Sequence, residues 1–389
     1  MSKYNFDELT NRRNTNSVKW NVEEDKLPMW IADMDFKTAP EIKAALETRV
    51  ASGIYGYTEP GDDWYEAYIN FFEERHHFMI AKDWLVFSTG VVPTISSTVR
   101  KLTSVGDNVV VLSPVYNIFY NSIINNQRNI LQVPLLYKEN EYSIDWENLE
   151  IALKDKKTTL LIFCNPANPI SKIWSREELE RLGKLCEENS VPVLSDEIHC
   201  ELVLPGKEYI PFASVNETNL YNSIMAIAPT KTFNLAGIQT SAIVIANPEL
   251  RKKVVRQINT DEVAEPNVFS CPAAIAAFNE GKEWLDELRE YLFSNRDYVK
   301  AYLENNIPEL TLVDGDATYL LWINIDKLNT NSEEFTSFLK EEANLIVNEG
   351  KEYGGNGDHF IRLNVACPRA RLEEGLKRLH QGVIKFLKR

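Results

Sequence analysis

One lysine, Lys231, stands inside the run AIAPTKTFNLAGI (226–238), where every other residue is uncharged and most are apolar. A buried ammonium without a partner is so costly that it sheds its proton or neutralises another charge. It reads either as a loop lysine whose tip reaches water or as an amine kept neutral to attack a carbonyl carbon. Its company decides. VFSTGVVPTIS sets Gly90, Val91 and Val92 where a strand gives way to a helix, whose free amides suit a phosphate, although glycine also serves a tight turn there. LSPVYNIF carries Tyr116, a core aromatic or a ring that stacks on a flat ligand. FCNPANP places Asn165 and Asn168 each before a proline, as an ordinary turn or as two aimed amides. VLSDEIHC carries Asp196 and then His199, an N-cap with a surface imidazole or a buried carboxylate with a polar neighbour. APTKTF pairs Thr230 with Lys231. In HFIRLNVAC, Ile361, Leu363 and Val365 share one face and Arg362 and Asn364 the other, so Arg362 is a surface salt-bridge residue or a bidentate clamp for a carboxylate.

Such residues need a scaffold that brings strand ends together. From about residue 84, short β-rich runs alternate with amphipathic stretches. WLVFS, NVVVLS, NILQVPL, TTLLIFC, VPVLSDE, SIMAIAP and SAIVIAN each read as a strand, apolar enough for a seven-stranded sheet buried on both faces. Between them SREELERLGKLCEEN reads as a helix opened by a capping box, Ser175 with Glu178. The alternation implies an α/β fold with a mostly parallel sheet flanked by helices, its site beyond the strands' carboxyl ends. The tail differs. A long helix, EWLDELREYLFSNRDYVKAYLENN, is followed by TYLLWINI, a helix from about Ser332, NLIVNEG, HFIRLNVAC and a closing helix from about Arg369, which together read as a smaller α+β domain. The expected division is 1–48 as a segment packing on the small domain, 49–285 as the large domain and 286–389 as the small one. YGGNGD (353–358) lacks P-loop spacing and reads as a mobile loop.

Bulk properties exclude several classes. The 389 residues, 44% hydrophobic, suffice for roughly two or three cores. A formal net charge of −15 argues against a nucleic-acid or anionic-membrane partner. No apolar run approaches the ~18–20 residues needed to span a bilayer. The opening MSKYNFDELTNRRNTNSVKW has no apolar core followed by a cleavage site, so no signal peptide is expected. Cys164, Cys186, Cys200, Cys271 and Cys367 are scattered, which suits reduced thiols and a cytoplasmic location. His199 adjoins Cys200, but nothing nearby completes a tetrahedral metal set, so no metal is expected.

Taken together, the segments supply a phosphate cradle, a stacking ring, amides, a buried carboxylate, an amine and a carboxylate clamp. One flat, phosphorylated, carbonyl-bearing cofactor uses all of them, pyridoxal 5′-phosphate. Over nearly its whole length the sequence resembles fold-type I pyridoxal-phosphate enzymes, through YGYT, TGVVP, PVYNIF, CNPANP, SDEIH, TKTFNLAG and RLNVACPR in that order. RRNTNSVKW and LPMWIADMDF narrow the resemblance to the MalY/PatB-type carbon–sulfur lyases, cystathionine β-lyase relatives of class I/II aminotransferases.

The resemblance implies that Lys231 is the Schiff-base lysine and Asp196 the partner of the pyridine nitrogen. It sets Asn168 and His199 on the ring hydroxyl, Tyr116 on the ring face, and Gly90, Val91, Val92 and Thr230 on the phosphate. Tyr57 would reach the phosphate of a neighbouring subunit, which implies a homodimer with shared sites. Arg362 would bind the substrate carboxylate, helped by Asn168 and by backbone around Ala32. Three positions depart from the pattern: Ala228 where many aminotransferases have a phosphate-binding serine, Gln239 where they have an arginine, and Ile170-Ser171 where relatives commonly carry a glycine. The implied reaction is β-elimination of cystathionine, cysteine or a related thioether amino acid to a thiol (homocysteine or hydrogen sulfide), pyruvate and ammonia. Its rivals are an aminotransferase, which needs a 2-oxo acid acceptor, and a non-enzymatic protein-binding role.

Overall fold

All seven apolar runs become strands of one sheet in the computed structural model, which describes residues 3–389. They are β1 (Leu85–Ser88), β2 (Asn108–Ser113), β3 (Asn129–Pro134), β4 (Thr158–Cys164), β5 (Val193–Asp196), β6 (Ser223–Ile227) and β7 (Ser241–Val244). Their spatial order is β1-β7-β6-β5-β4-β2-β3. β7 runs antiparallel to both neighbours, and the other pairings are parallel. Two antiparallel steps restore direction, so β1 points the same way as β6. Every strand except β7 therefore ends on the same edge of the sheet.

Alternation along the strands explains their apolar runs. Val109, Val111, Leu160, Ile162 and Leu194 share a cluster with Val91, Ile95 and Val99 of α1 (Val91–Leu102). Val110, Leu112, Leu161, Phe163 and Val193 cluster on the other side with Leu179 and Leu182 of α2 (Arg176–Glu188). Each such side chain contributes about 1.5–3 kcal/mol by leaving water, so neither face tolerates polar residues mid-strand. The capping box of α2 forms as expected: the Glu178 amide donates to Ser175 Oγ at 3.2 Å and the Ser175 amide to Glu178 Oε2 at 2.8 Å. A short helix, α3 (Pro229–Thr232), follows β6 directly.

A second sheet is antiparallel, with β8 (Thr311–Leu312), β9 (Leu320–Asn324), β10 (Asn348–Glu349) and β11 (Phe360–Asn364) in the order β8-β9-β11-β10. It follows the long helix α4 (Lys282–Asn306), which buries Trp284, Leu285, Leu288, Leu292 and Val299, and precedes the closing helix α5 (Arg369–Phe386). The chain's early residues reach this region. Leu27–Pro28 pairs in parallel with Leu345–Ile346, and the Asp35 carboxylate meets Arg371 of α5 at 3.1 Å. Of the segment expected at 1–48, residues 1–2 lie outside those described, and the helix Pro40–Ala51 runs across its expected end. That helix was not legible because its apolar residues gather on no single stripe.

The loop expected at 353–358 is packed. Tyr353 is buried, and its carbonyl accepts hydrogen bonds from Tyr120 Oη at 2.6 Å and the Val115 amide at 2.9 Å. Gly354 and Gly355 sit at positive φ against Tyr120 and the Ser113–Pro114 backbone, where a Cβ would clash. Among the described residues no helix is long and apolar enough to cross a membrane.

Candidate active site

The strand ends converge as the topology requires. β5 ends in Asp196, and the turn after it returns His199 to the sheet edge. β6 leads to Pro229 at the first position of α3, where a missing amide hydrogen costs nothing, and the turn it opens presents Thr230 and Lys231. These four residues line one cavity of about 240 Å³. β1 leads through Gly90 into α1, whose N-terminus has no side-chain cap, so its first amides are free to bind an anion. Gly90, Val91 and Val92 line the same cavity, joined by Tyr116 after β2, Asn168 after β4 and Ala32 from the N-terminal segment.

Burial sets the charge states. The Lys231 amine is brought down to about 8, mainly by loss of water and also by Arg362, against the pull of Asp33 and Asp196. It donates to the carbonyl of Ala32 at 2.5 Å. Burial pushes the Asp196 carboxyl up to about 7, although the Ile198 amide (3.1 Å) and Lys231 favour its anion. His199 is pushed down to about 3 by burial first and then by the cations Lys231 and Arg362, and its Nδ1 is buried without a partner. At neutral pH the cavity thus holds an amine close to losing its proton, a carboxyl that an adjacent cation would ionise, and an uncharged imidazole. Glu197 stands behind Asp196 and is also pushed up, to about 8, by burial. Its Oε1 accepts from Ser195 Oγ at 2.6 Å and the Phe212 amide at 3.0 Å, while its Oε2 and the Oδ1 of Asn165 have no partner.

Arg362 reaches the site from the small sheet. It is 3% exposed, its NH1 donates to Asn168 Oδ1 at 3.1 Å, and its NH2 donates to Asn348 Oδ1 at 2.8 Å and the Trp30 carbonyl at 3.0 Å. Its guanidinium lies 4.9 Å from the Tyr353 ring centroid, and its Nε is buried without a partner. None of the ion pairs among the described residues involves it. A buried guanidinium held only by neutral acceptors, with no carboxylate of its own, suits an anionic ligand.

The Trp30 carbonyl belongs to a segment with unusual support. Residues 30–34 lie in no helix or strand, yet each of their carbonyls accepts a side-chain hydrogen bond. Arg362 takes Trp30, Asn364 takes Ile31 (2.5 Å) and Asp33 (2.7 Å), Lys231 and Tyr319 (3.1 Å) take Ala32, and Arg12 and Asn234 (both 3.0 Å) take Met34. Arg12 also grips the Asp33 carboxylate through both nitrogens at 3.0 and 2.7 Å.

All the expected site residues but two line the cavity. Arg362 instead reaches it through Asn168. Tyr57 is fully exposed, at 103%, and is not brought to the cavity by its own chain. His199 is buried, not a surface imidazole. The reading from sequence did not include Thr89, Ile198 and Ala236 in the lining, nor Asp33, Tyr319 and Asn348 around it. Thr89 and Ile198 adjoin recognised positions, whereas Asp33, Tyr319 and Asn348 sit in segments whose approach is purely tertiary. Gln239, one of the departures, does line the cavity.

Residues 24–379 match the family model for aminotransferase class I and II. The chain belongs to this family. Among relatives of this class I and II chain, cystathionine beta-lyase PatB of Bacillus subtilis (strain 168) is 40% identical over 381 residues, spanning 96% of this chain and 98% of PatB. The structure of cystalysin from Treponema denticola, which contains pyridoxal 5′-phosphate, superposes with a TM-score of 0.95 at 32% identity, covering 98% of this chain and 99% of that one. The PLP-bound C-S lyase from Staphylococcus hominis gives 0.92 at 31% identity, with coverage of 98% and 99%.

Proposed function

We propose that this chain is a pyridoxal 5′-phosphate-dependent carbon–sulfur β-lyase that cleaves L-cystathionine, with cysteine and related thioether amino acids as further substrates. The observation that carries the reading is a single cavity with a depressed-pKa lysine, a buried carboxyl and an uncapped helix N-terminus, beside a buried arginine that lacks a counter-ion. The relatives' names support the choice of reaction.

The residues fit the cofactor. Asp196 keeps one carboxylate oxygen free of protein donors, as a pyridinium partner needs, and His199 offers an orphaned Nδ1 beside Asn168 for a ring substituent. Gly90, Val91, Val92 and Thr230 form the anion end, and Tyr116 supplies the ring that stacks. When bound, the cofactor supplies an electron sink for the pair left at the substrate's α-carbon. Lys231 contributes an amine that burial brings close to losing its proton, so that a neutral fraction is available for attachment, and then the base that takes the α-proton onto Nζ. Arg362, oriented by Asn168 and Asn348, holds the α-carboxylate, with the backbone at Ala32 beside it. The carbon–sulfur bond breaks with its electron pair leaving on sulfur, and water completes release of pyruvate and ammonia. Tyr57, exposed on its own chain, serves the phosphate end of a second copy's site, so the working form is a homodimer, and the cytoplasm is its location.

Purified protein supplied with cofactor should release pyruvate from L-cystathionine without any 2-oxo acid. The second reading, an aminotransferase, draws on the family match itself. Absolute dependence on 2-oxoglutarate would favour it and overturn the lyase.

A further inference from the structure

The segment Trp30–Met34 links the two ends of the site in a way that the functional reading does not use. Arg362 and Lys231 donate to carbonyls only two residues apart, those of Trp30 and Ala32. Both donors have other work in the proposed reaction. A carboxylate arriving at Arg362 competes with the Trp30 carbonyl for NH2, and a lysine nitrogen engaged elsewhere leaves the Ala32 carbonyl to Tyr319 alone. Whether a displacement at residue 30 is felt at residue 32 depends on how stiff the intervening backbone is.

One side chain provides that stiffness. The Asn364 amide nitrogen donates to the carbonyls on either side of Ala32, those of Ile31 at 2.5 Å and Asp33 at 2.7 Å. Its own oxygen is fixed by the Ala366 amide at 2.7 Å, and its backbone amide donates to the Met29 carbonyl at 2.9 Å. Asn364 is buried and lies two residues along β11 from Arg362, on the same face, so clamp and arginine move together. The far end of the segment is pinned by Arg12 on Asp33 and by Asn234 on Met34.

We propose that Trp30–Met34 acts as a rigid link by which occupancy of Arg362 is transmitted to Lys231, and that Asn364 is the positioning residue that makes it rigid. The proposal rests on the reading that Arg362 takes the substrate carboxylate and Lys231 the cofactor. Asn364 touches neither. Its effect is to hold the Ala32 carbonyl against Lys231 and to keep water from the amine, as long as the Trp30 carbonyl holds its place on Arg362.

The test is Asn364→Ser, which keeps an acceptor for the Ala366 amide but cannot reach both carbonyls. Two quantities are read. The first is the pH midpoint for acylation of Lys231 in cofactor-free protein, followed by peptide mass spectrometry. The second is the concentration of L-alanine that half-saturates the absorbance change of the cofactor-loaded protein. The link requires both to move: the midpoint up by about one pH unit as water reaches the amine, and the L-alanine constant down by about five-fold as a loosened Trp30 carbonyl competes less for Arg362. If either stays at the value of the unaltered protein, the link is overturned, and a lowered Tm alone also overturns it, since that is what a purely structural asparagine would give. If Asn364→Ser does not fold, Arg12→Lys, which keeps the charge but loses the two-pronged grip on Asp33, is judged by the same two readouts. Neither readout needs a sulfur leaving group, so a protein that releases no pyruvate would refute the lyase reading and leave this one standing.

Discussion

Asp196 and Lys231 hang from β5 and from the turn after β6, strands whose residues are all buried and paired by backbone hydrogen bonds on both sides. Arg362 is also mid-strand, in β11 of the small sheet, but it faces them across residues Trp30 to Met34, which have no regular structure and are held by side chains from Arg12, Lys231, Asn234, Tyr319 and Asn364. The first half of the site cannot move without breaking a sheet. The second owes its stiffness to individual side-chain hydrogen bonds, each worth about 0.5–3 kcal/mol net, so losing one residue such as Asn364 can loosen it.

Substitutions can break the comparison, and the largest effects belong to the sheet-borne half. Lys231→Ala should lower pyruvate release by at least about 10³-fold and leave no cofactor attached after borohydride reduction and mass analysis. Retained attachment would place the covalent link elsewhere. Asp196→Asn, which keeps the volume and removes the charge, should cost about 10²–10³-fold in kcat with a folded structure by circular dichroism; a near-normal rate would remove Asp196 from the ring-nitrogen role. On the other half, Arg362→Lys keeps the charge and loses the fork, so KM should rise about 10–100-fold with a smaller change in kcat. An equal fall in kcat with KM unchanged would mean that the arginine does not hold the ground-state carboxylate.

The smallest effect concerns stability and needs a sign. Burial pushes Glu197 up to about 8 in the folded chain from its ordinary 4.5, so between these values the folded state binds more protons than the unfolded one. Stability from this group is full below about 4.5 and is lost as pH rises through 8. Glu197→Gln removes that loss, and its amide can donate toward the orphaned Asn165 Oδ1. Its Tm should exceed that of the parent by a few degrees near pH 9 and match it near pH 5. A deficit at both pH values would mean that Glu197 is ionised and needed as an anion.

The same contrast accounts for what could be seen in advance. The sheet-borne half was legible because each functional residue follows an apolar run, and the run's length and composition give the strand while the topology gives the edge. Gly90, Tyr116, Asn168, Asp196 and Lys231 are spread over 142 residues and still fall into one cavity for that reason. Nothing local marked Asp33 or Tyr319, whose places depend on hydrogen bonds across 331 and 287 residues, from Asn364 to the Asp33 carbonyl and from Tyr319 to that of Ala32. Asn364 was noticed as sharing a face with Arg362, but that the face would meet residues 30–34 is a tertiary fact. The segment 353–358 was misread for a related cause: its glycines permit close packing on Tyr120 and Pro114, and composition alone does not distinguish that from looseness.

Asp35 has a consequence for biosynthesis. Its carboxylate is buried with Lys19 and Arg12, and it also requires Arg371, which is translated more than three hundred residues later. A nascent chain emerging in order can assemble the seven-stranded sheet early, but until α5 leaves the ribosome Asp35 has only its N-terminal partners Lys19, Arg12 and Trp20. The N-terminal segment that carries Ala32 into the cavity thus gains its last ionic anchor, Arg371, only at the end of synthesis.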